Sequence, residues 1–221
     1  MGAQLPERQP EAVLVINPGS TSTKLALLGR DRAFQEKVVR HAAEDLKKFG
    51  DIIGQLDYRF DLIRQEVEPL LPTCRIRAVV GRGGLLRPLD GSVYQVTPSM
   101  LEDLRSSRYG THASNLGALI ADRFARQLGC PALIVDPVVI DNLLPEARIS
   151  GVPELERASR AHVLNARSVA RRVAASLRKP FEQCTFVVTH MGGGISVNAL
   201  RGGKILDTND GLLGMGPFSP E

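Results

Sequence analysis

The sequence predicts a mixed α/β chain, and three observations carry that reading. The stretch "VLVINPGSTSTKLALLG" (13–29) sets two apolar runs around a loop of small and hydroxyl residues. "TFVVTHMGGGISVNALRGGKILDT" (185–208) repeats the design with glycines in the loop, and amphipathic helical patterns fill the chain between them. Two strand–loop–strand units so far apart predict two related lobes, since no tandem repeat of roughly 20 to 50 residues is present.

The elements follow in order. Residues 1–11 are polar and Pro-rich without an apolar segment, so they read as a disordered tail and not as a signal peptide, and Pro6 spoils a myristoylation motif. "AVLVI", "TKLALLG" and "AFQEKVV" read as a three-stranded meander, followed by a helix over about 56–70 and a buried strand "IRAVVG" (76–81) ending at glycines. Thr97-Pro98 reads as N-cap and first turn of "SMLEDLRSS". "NLGALIADRFARQLG" places Leu116, Leu119, Ile120, Phe124 and Leu128 on one face and closes at Gly129 and Pro131. "ALIVD" (132–136) reads as a buried strand, and 156–179 as a helix with Val163, Ala166, Ala170, Val173, Ala174 and Leu177 inward and its arginines mostly outward.

Composition narrows the function classes. A chain of 221 residues that is 43% hydrophobic can close a substantial core, and its net charge of +4 is modest. With 5% aromatics and none interleaved among the arginines, base stacking has little support, so no nucleic-acid partner is expected. No apolar run approaches the length of a membrane span, and Cys74, Cys130 and Cys184 are odd in number, far apart and set in apolar stretches. Buried free thiols, no membrane and a cytoplasmic location are the expectation.

Chemistry concentrates in the two small-residue loops. Gly19, Ser20, Thr21, Ser22, Thr23 and Lys24 supply backbone N–H groups, four hydroxyls and an ammonium suited to phosphate oxygens. A Walker A pattern is absent, and "GRGGLL" (81–86) does not complete a dinucleotide fingerprint. A Ser/Thr-rich turn can also be no more than a hairpin loop. His190-Met191-Gly192-Gly193-Gly194 adds weight, because glycines directly after a buried strand weaken a fold unless something approaches the backbone closely.

Six segments in collinear order carry a resemblance: "VINPGSTSTKLAL", "VVGRGGLLRPLDG", "GTHASNLGALIA", "IVDPVVIDN", "ARISGVPE" and "THMGGGISV". Together they resemble the butyrate kinase group of the acetate kinase family. That resemblance implies a ribonuclease-H-like, actin-like ATPase fold of two lobes holding ATP between two phosphate loops. The first lobe would span 12–182, with the first loop and the carboxylate site, and 183–221 would begin a second, truncated lobe. It implies ATP and Mg²⁺ as cofactors, a short-chain carboxylate as acceptor and a homodimer when complete. The first phosphate loop would use Gly19, Ser20, Thr21, Ser22 and Lys24, and the second His190, Gly192, Gly193 and Gly194.

The same resemblance assigns roles by motif match. Asn17 would orient the phosphoryl group; Arg82 in "GRGG" would clamp carboxylate or phosphoryl, its register shifted from the family's "RVVHGG"; and His112 in "THASN" matches the histidine of "HNPAN". His162 in "RAHVLN" matches that of "FHGTSH" and would meet the transferred phosphoryl. Asp136 would hold Mg²⁺, as an acidic residue at a strand's C-terminal end facing the ligand crevice. Without the family, an arginine between glycines reads as a surface turn, a lone helical histidine as structural and Asp136 as a turn carboxylate. Gly81, Thr111 and Ala161 stand where acetate kinases carry valine, leucine and phenylalanine, which would widen the pocket for butyrate, isobutyrate or another branched acid. A buried methylene is worth about 0.8 kcal/mol.

The chain closes with "GLLGMGPFSPE", where family members continue through an "RSG"-like stretch, and it has Met215 where butyrate kinases carry an acidic residue. By itself it is expected to be inactive. The alternatives are an inactive truncated fragment and an actin- or chaperone-like nucleotide-binding interaction module.

Overall fold

The computed structural model describes residues 9–30, 33–192 and 194–211. Leu14 and Ile16 are fully buried in β1 (Glu11–Pro18), with Val13, Val15 and Asn17 half-buried between them, the alternation of a strand covered on both faces. β1 pairs antiparallel with β2 (Ser22–Leu28), and β2 with β3 (Ala33–Arg40), giving the expected meander. The predicted tail is shorter than 11 residues: Glu11 is already in β1, and the Pro10 carbonyl accepts from the Arg75 amide. Residues 1–8 lie outside the described residues.

After the short helix α1 (Ala43–Leu46), helix α2 (Leu56–Val67) buries Phe60, Ile63 and Val67 along one stripe. It gives way to a 3₁₀ segment at Glu68–Thr73 because Pro69 and Pro72 cannot donate to the α-helical ladder. Strand β4 (Arg75–Arg82) then runs parallel to β1. β5 (Val93–Gln95), α3 (Pro98–Arg105), α4 (Asn115–Leu128) and β6 (Ala132–Val135) follow, and the six strands order as β3-β2-β1-β4-β6-β5. Thr97 caps α3 by accepting from the Met100 amide, and Gly129 closes α4 in the left-handed conformation at φ +64°. The register sets Ile16 beside Gly81 and Gly81 beside Ile134, so β1, β4 and β6 end together.

The contact of β4 with α4 is unusually close. A Cβ on Gly81 would collide with the Gly117 carbonyl, and a Cβ on Gly117 with the Arg82 carbonyl. One turn later a Cβ on Gly84 would lie 2.5 Å from the Asn115 Cα. Strand backbone therefore touches helix backbone, which only paired glycines permit. This corrects the reading of Gly81 as open space for substrate: the room its missing side chain leaves is filled by α4.

The chain divides into two compact units, one of 1–84 with 94–135 and one of 85–93 with 136–221. That division falls at Asp136 and not at 182, so the segment 136–182 groups with the second loop. The second unit holds α5 (Val163–Ser176) and the antiparallel sheet β7 (Thr185–Met191), β8 (Ile195–Arg201), β9 (Lys204–Thr208) in the order β7-β8-β9. Gly202 and Gly203 make the β8–β9 turn at φ +54° and +78°, as a primed hairpin turn requires. β7 is not the buried strand that its sequence suggested: it alternates exposed with half-buried residues, and Val187 and Met191 are 74% and 79% exposed. In α5, Val163, Ala166, Ala170 and Ala174 are buried as expected, but Val173 and Leu177 are exposed and Arg167 faces inward. Leu128 of α4 and Cys130 are only half-buried, while Cys74 and Cys184 are buried free thiols. Among the described residues no helix is long and apolar enough to cross a membrane.

The glycine contact yields a stability test. Gly117→Ala should destabilise the chain by about 1–3 kcal/mol, the usual cost of overpacking, whereas Gly50→Ala, where a Cβ meets open space, should be near neutral. Urea-unfolding midpoints compare the two, and equal midpoints would refute the close approach.

Candidate functional site

The first loop owes its shape to a buried cation. Arg59 on α2 is fully buried, and its guanidinium donates to the Gly19 carbonyl (2.7 Å), the Ser20 carbonyl (2.8 Å) and Gln55 Oε1 (2.8 and 3.0 Å). Across a trans peptide the C=O and the next N–H point in opposite directions. Drawing those two carbonyls inward therefore turns the Ser20 and Thr21 amides outward, the orientation an anion needs. Gly19 itself donates its amide to the Ser22 carbonyl at 2.7 Å, so its part is to close the turn. Thr23 is buried and its hydroxyl meets His41 Nε2 at 2.9 Å, leaving three loop hydroxyls, those of Ser20, Thr21 and Ser22, where four were expected. Lys24 is exposed on β2, opposite Asn17 on β1.

Asn17 and Arg82 sit at the C-terminal ends of neighbouring parallel strands in the same unit. The Arg82 guanidinium is half-buried, its pKa is lowered by burial, and among the described residues it has no carboxylate partner. Beside it is His112, whose Nδ1 accepts the Ser114 amide at 3.1 Å and meets Ser114 Oγ at 2.7 Å. With Nδ1 accepting, the ring proton sits on Nε2. Burial first, and the Arg82 charge second, lower the His112 pKa, so the ring offers a neutral donor. His112 and Ser114 lead directly into α4, whose first amides are taken by the His112, Ala113 and Ser114 carbonyls, so that the helix contributes its dipole and not free N–H groups. A charged fork without a counter-ion, a neutral N–H donor and a helix N-terminus make an anion-binding arrangement.

In the second unit, Ser196 Oγ lies 3.0 Å from Nδ1 of His162, the N-cap residue of α5. Ser196 is in turn reached by the Asn198 amide at 3.2 Å, and Thr208 donates to Asn198 Oδ1 at 2.8 Å. This chain of donors leaves the Ser196 proton available to His162 Nδ1, an arrangement that suits the tautomer with the ring proton on Nε2. His190 is the last residue but one of β7, with its Nδ1 3.1 Å from Asn165 Oδ1, and Gly192 and Gly194 follow the strand. Gly193 lies outside the described residues, as does Met215.

Asp136 departs from its expected role. Directly after β6 it takes φ +43°, and its buried carboxylate closes an ion pair with Arg167, which also donates to Ser92 Oγ and the Gly203 carbonyl, both at 2.7 Å. A carboxylate neutralised by a buried guanidinium is a poor cation ligand, and among the described residues no cluster of three His, Cys, Asp or Glu could hold a metal. The residues present therefore do not fit a protein-held Mg²⁺, and no step below runs through one.

The expected pocket residues are distributed unevenly: Gly81 and Ala161 are buried and Thr111 is exposed, with Gly81 and Thr111 in the first unit and Ala161 in the second. A cavity of about 390 Å³ opens beside Ser150 and Gly151, bordered by Arg148, Ile149, Leu155 and Glu156, and none of the site residues lines it. Arg59 and Arg167 were missed because an arginine on an amphipathic pattern reads as solvated. The available signal was position, since Arg59 directly precedes Phe60 of the buried stripe and Arg167 directly follows the buried Ala166.

Known proteins match this chain in sequence and in fold. The acetokinase family model matches residues 157–219. A probable butyrate kinase of Enterococcus faecalis is 49% identical over 211 residues, covering 96% of this chain and 58% of the relative. One of Listeria innocua is 48% identical over 210 residues, covering 95% and 59%. The chain is thus similar to curated butyrate kinases over nearly its whole length and to the acetokinase family model over its last third. It spans a little under three fifths of the length of these curated relatives. Among solved structures, an acetate kinase of Porphyromonas gingivalis superposes with TM-score 0.62 at 16% identity over 91% of this chain and 57% of that one. A propionate kinase of Francisella tularensis gives 0.59 at 18%, over 91% and 58%. At such identities they speak for the fold alone, the actin-like architecture that the sequence was expected to have.

His41 behind the first loop gives a pH test. Burial first, and then the Arg59 charge, lower its pKa from 6.5 to about 4. Between those values the unfolded chain binds the proton and the folded one does not, so stability is complete above about 6.5 and is lost as pH falls toward 4, by on the order of 3 kcal/mol. His41→Asn should flatten the dependence. Urea midpoints for both proteins at about pH 7.5 and 5 test this, and parallel losses would show that His41 is not the group responsible.

Proposed function

We propose that the chain supplies the carboxylate site and phosphate loops of a kinase that moves the γ-phosphoryl of ATP to a short-chain carboxylate, reversibly, forming an acyl phosphate and ADP. The observation that carries this reading is Arg82: a half-buried guanidinium with no carboxylate partner among the described residues, beside a histidine that presents a neutral N–H. The names of the matching relatives, probable butyrate kinases, point to the same chemistry.

The residue types suit the reaction. A carboxylic acid is ionised at neutral pH, so its oxygen attacks phosphorus without a general base, and the barrier is the meeting of two anions. Arg82 and His112 would hold the carboxylate and the oxygens that gain charge. The outward amides of Ser20 and Thr21, with Ser22, Lys24 and Asn17, would receive phosphate, as would Gly192 and Gly194. His162, with its proton on Nε2, would donate to the phosphoryl group in transit. Butyrate, isobutyrate or a branched acid is the proposed acceptor, an argument that now rests on Thr111 and Ala161, since Gly81 packs on α4. Mg²⁺ delivered with the nucleotide, a homodimeric complete enzyme and a cytoplasmic location belong to the same reading.

A second reading is favoured by the exposure of Val187 and Met191: a nucleotide-binding interaction module, which would bind ATP without making acyl phosphate. Hydroxylamine trapping separates the two, run on this chain and on the chain joined to the C-terminal segment of a matching butyrate kinase. Hydroxamate should form with butyrate at a higher kcat/KM than with acetate, and a preference for acetate would overturn the assignment of Thr111 and Ala161. Arg82→Ala should cost on the order of 3 kcal/mol in kcat/KM, roughly a hundredfold or more, without lowering the unfolding midpoint. ATP binding with no hydroxamate from either protein would support the interaction module.

A further inference from the structure

His162 and His190 lie face to face, with ring centroids 3.8 Å apart and planes 12° from parallel. One rung of the β7–β8 ladder places both supports of His162. His190 pairs directly with Ser196 across the strands, so the same rung gives the ring stacked on His162 and the hydroxyl at its Nδ1. The partner ring is held from the other side by Asn165, in the first turn of the helix that His162 itself caps. Helix and hairpin thus grip the two rings between them.

We infer that His190 is a positioning residue that fixes the ring plane of His162, and that the glycines after it leave room for the stacked imidazoles. The inference rests on the reading above, in which His162 meets the transferred phosphoryl group, and it replaces the expectation that His190 touches the nucleotide.

The space around the rings supports this. A Cβ on Gly192 would lie 3.2 Å from His190 Nε2. On Gly194 it would lie 3.3 Å from His162 Cε1 and 2.8 Å from the Gly211 carbonyl, and on Gly211 3.2 Å from the same Cε1. Side chains at these positions would press on the edges of both rings. Stacked rings resist tilting, since π-systems at this separation lose contact when they rotate apart. A hydrogen bond at Nδ1 fixes one point of the His162 ring, and the His190 face adds a contact across its plane. Donor placement matters because an error of 1 Å in position costs about a hundredfold in rate.

The test uses the whole chain and the joined enzyme. The sequence has four histidines, so the four Cε1–H resonances can be assigned by substitution. Stacking should hold the His162 Cε1–H resonance upfield; His190→Ala should release it downfield, and His190→Phe, which keeps a flat ring but no ring nitrogens, should restore it. In the hydroxamate assay His190→Ala should lower kcat about tenfold with the KM for ATP within about twofold, and His190→Phe should recover most of the loss, since orientation acts on turnover and not on ground-state binding. An unmoved resonance in His190→Ala overturns the inference. So does a His190→Phe enzyme with a raised KM for ATP, which would make His190 a nucleotide contact. Resonance shifts as expected with no hydroxamate from the wild-type protein would uphold the stack and refute the kinase reading.

Discussion

Backbone touching backbone at Gly81 and Gly117 is the constraint on which the first unit depends. Because β4 carries no side chain where α4 crosses it, the helix sits close to the sheet and its N-terminus comes to the level where β1, β4 and β6 end. Arg82 follows Gly81 directly, and His112 stands three residues before α4 begins at Asn115. One crossing thus sets the height of the cation and of the helix that carries the histidine. A wider residue at either glycine would move both, so the geometry of the anion site is a consequence of packing several residues away from its polar groups.

Two buried arginines do comparable work by different means. Arg59 has no carboxylate and is satisfied by carbonyl oxygens and Gln55, dipoles that point the loop peptides in one sense. Arg167 is neutralised by Asp136 and ties that left-handed residue to the 85–93 segment through Ser92 and to the β8–β9 turn through Gly203. Neither pairing is a strong source of stability, since desolvating an ion offsets most of what its partners return. Their effect is directional: each leaves a short, strained or glycine-rich segment with a single conformation.

Much of the fold was legible from the sequence because its elements are locally determined. The meander, the Thr97-Pro98 cap, the Gly129 closure and the α4 face follow from alternation, capping and the 3.6-residue period, and each appears at its expected place. What was not legible depends on distant partners. Nothing in "GRGG" tells that the first glycine is claimed by a helix 36 positions on at Gly117, and nothing in "IVDP" tells that Asp136 will find Arg167 in place of a metal. The candidate site shows the same split. Arg82, His112 and His162 are candidates through motif resemblance, whereas the burial of Arg59 and the stacking of His190 arise only when helix and strand are brought together.

The register of the large sheet also dictates an order of assembly. The pairings of β1 with β2 and of β2 with β3 join neighbours in the chain, so the meander can form as soon as its last strand leaves the ribosome. The parallel core cannot: β4 must wait for α2 to close the path back to β1, and β6 for α3 and α4 to close the path back to β4. Loop closure of that length precedes any reward from pairing and slows folding. During synthesis the second edge of β1 therefore stays unpaired for as long as it takes to translate the sixty or so residues to β4, several seconds at about 5–20 residues per second. The apolar alternation that makes β1 the centre of the finished sheet makes it the segment most in need of shelter in the nascent chain.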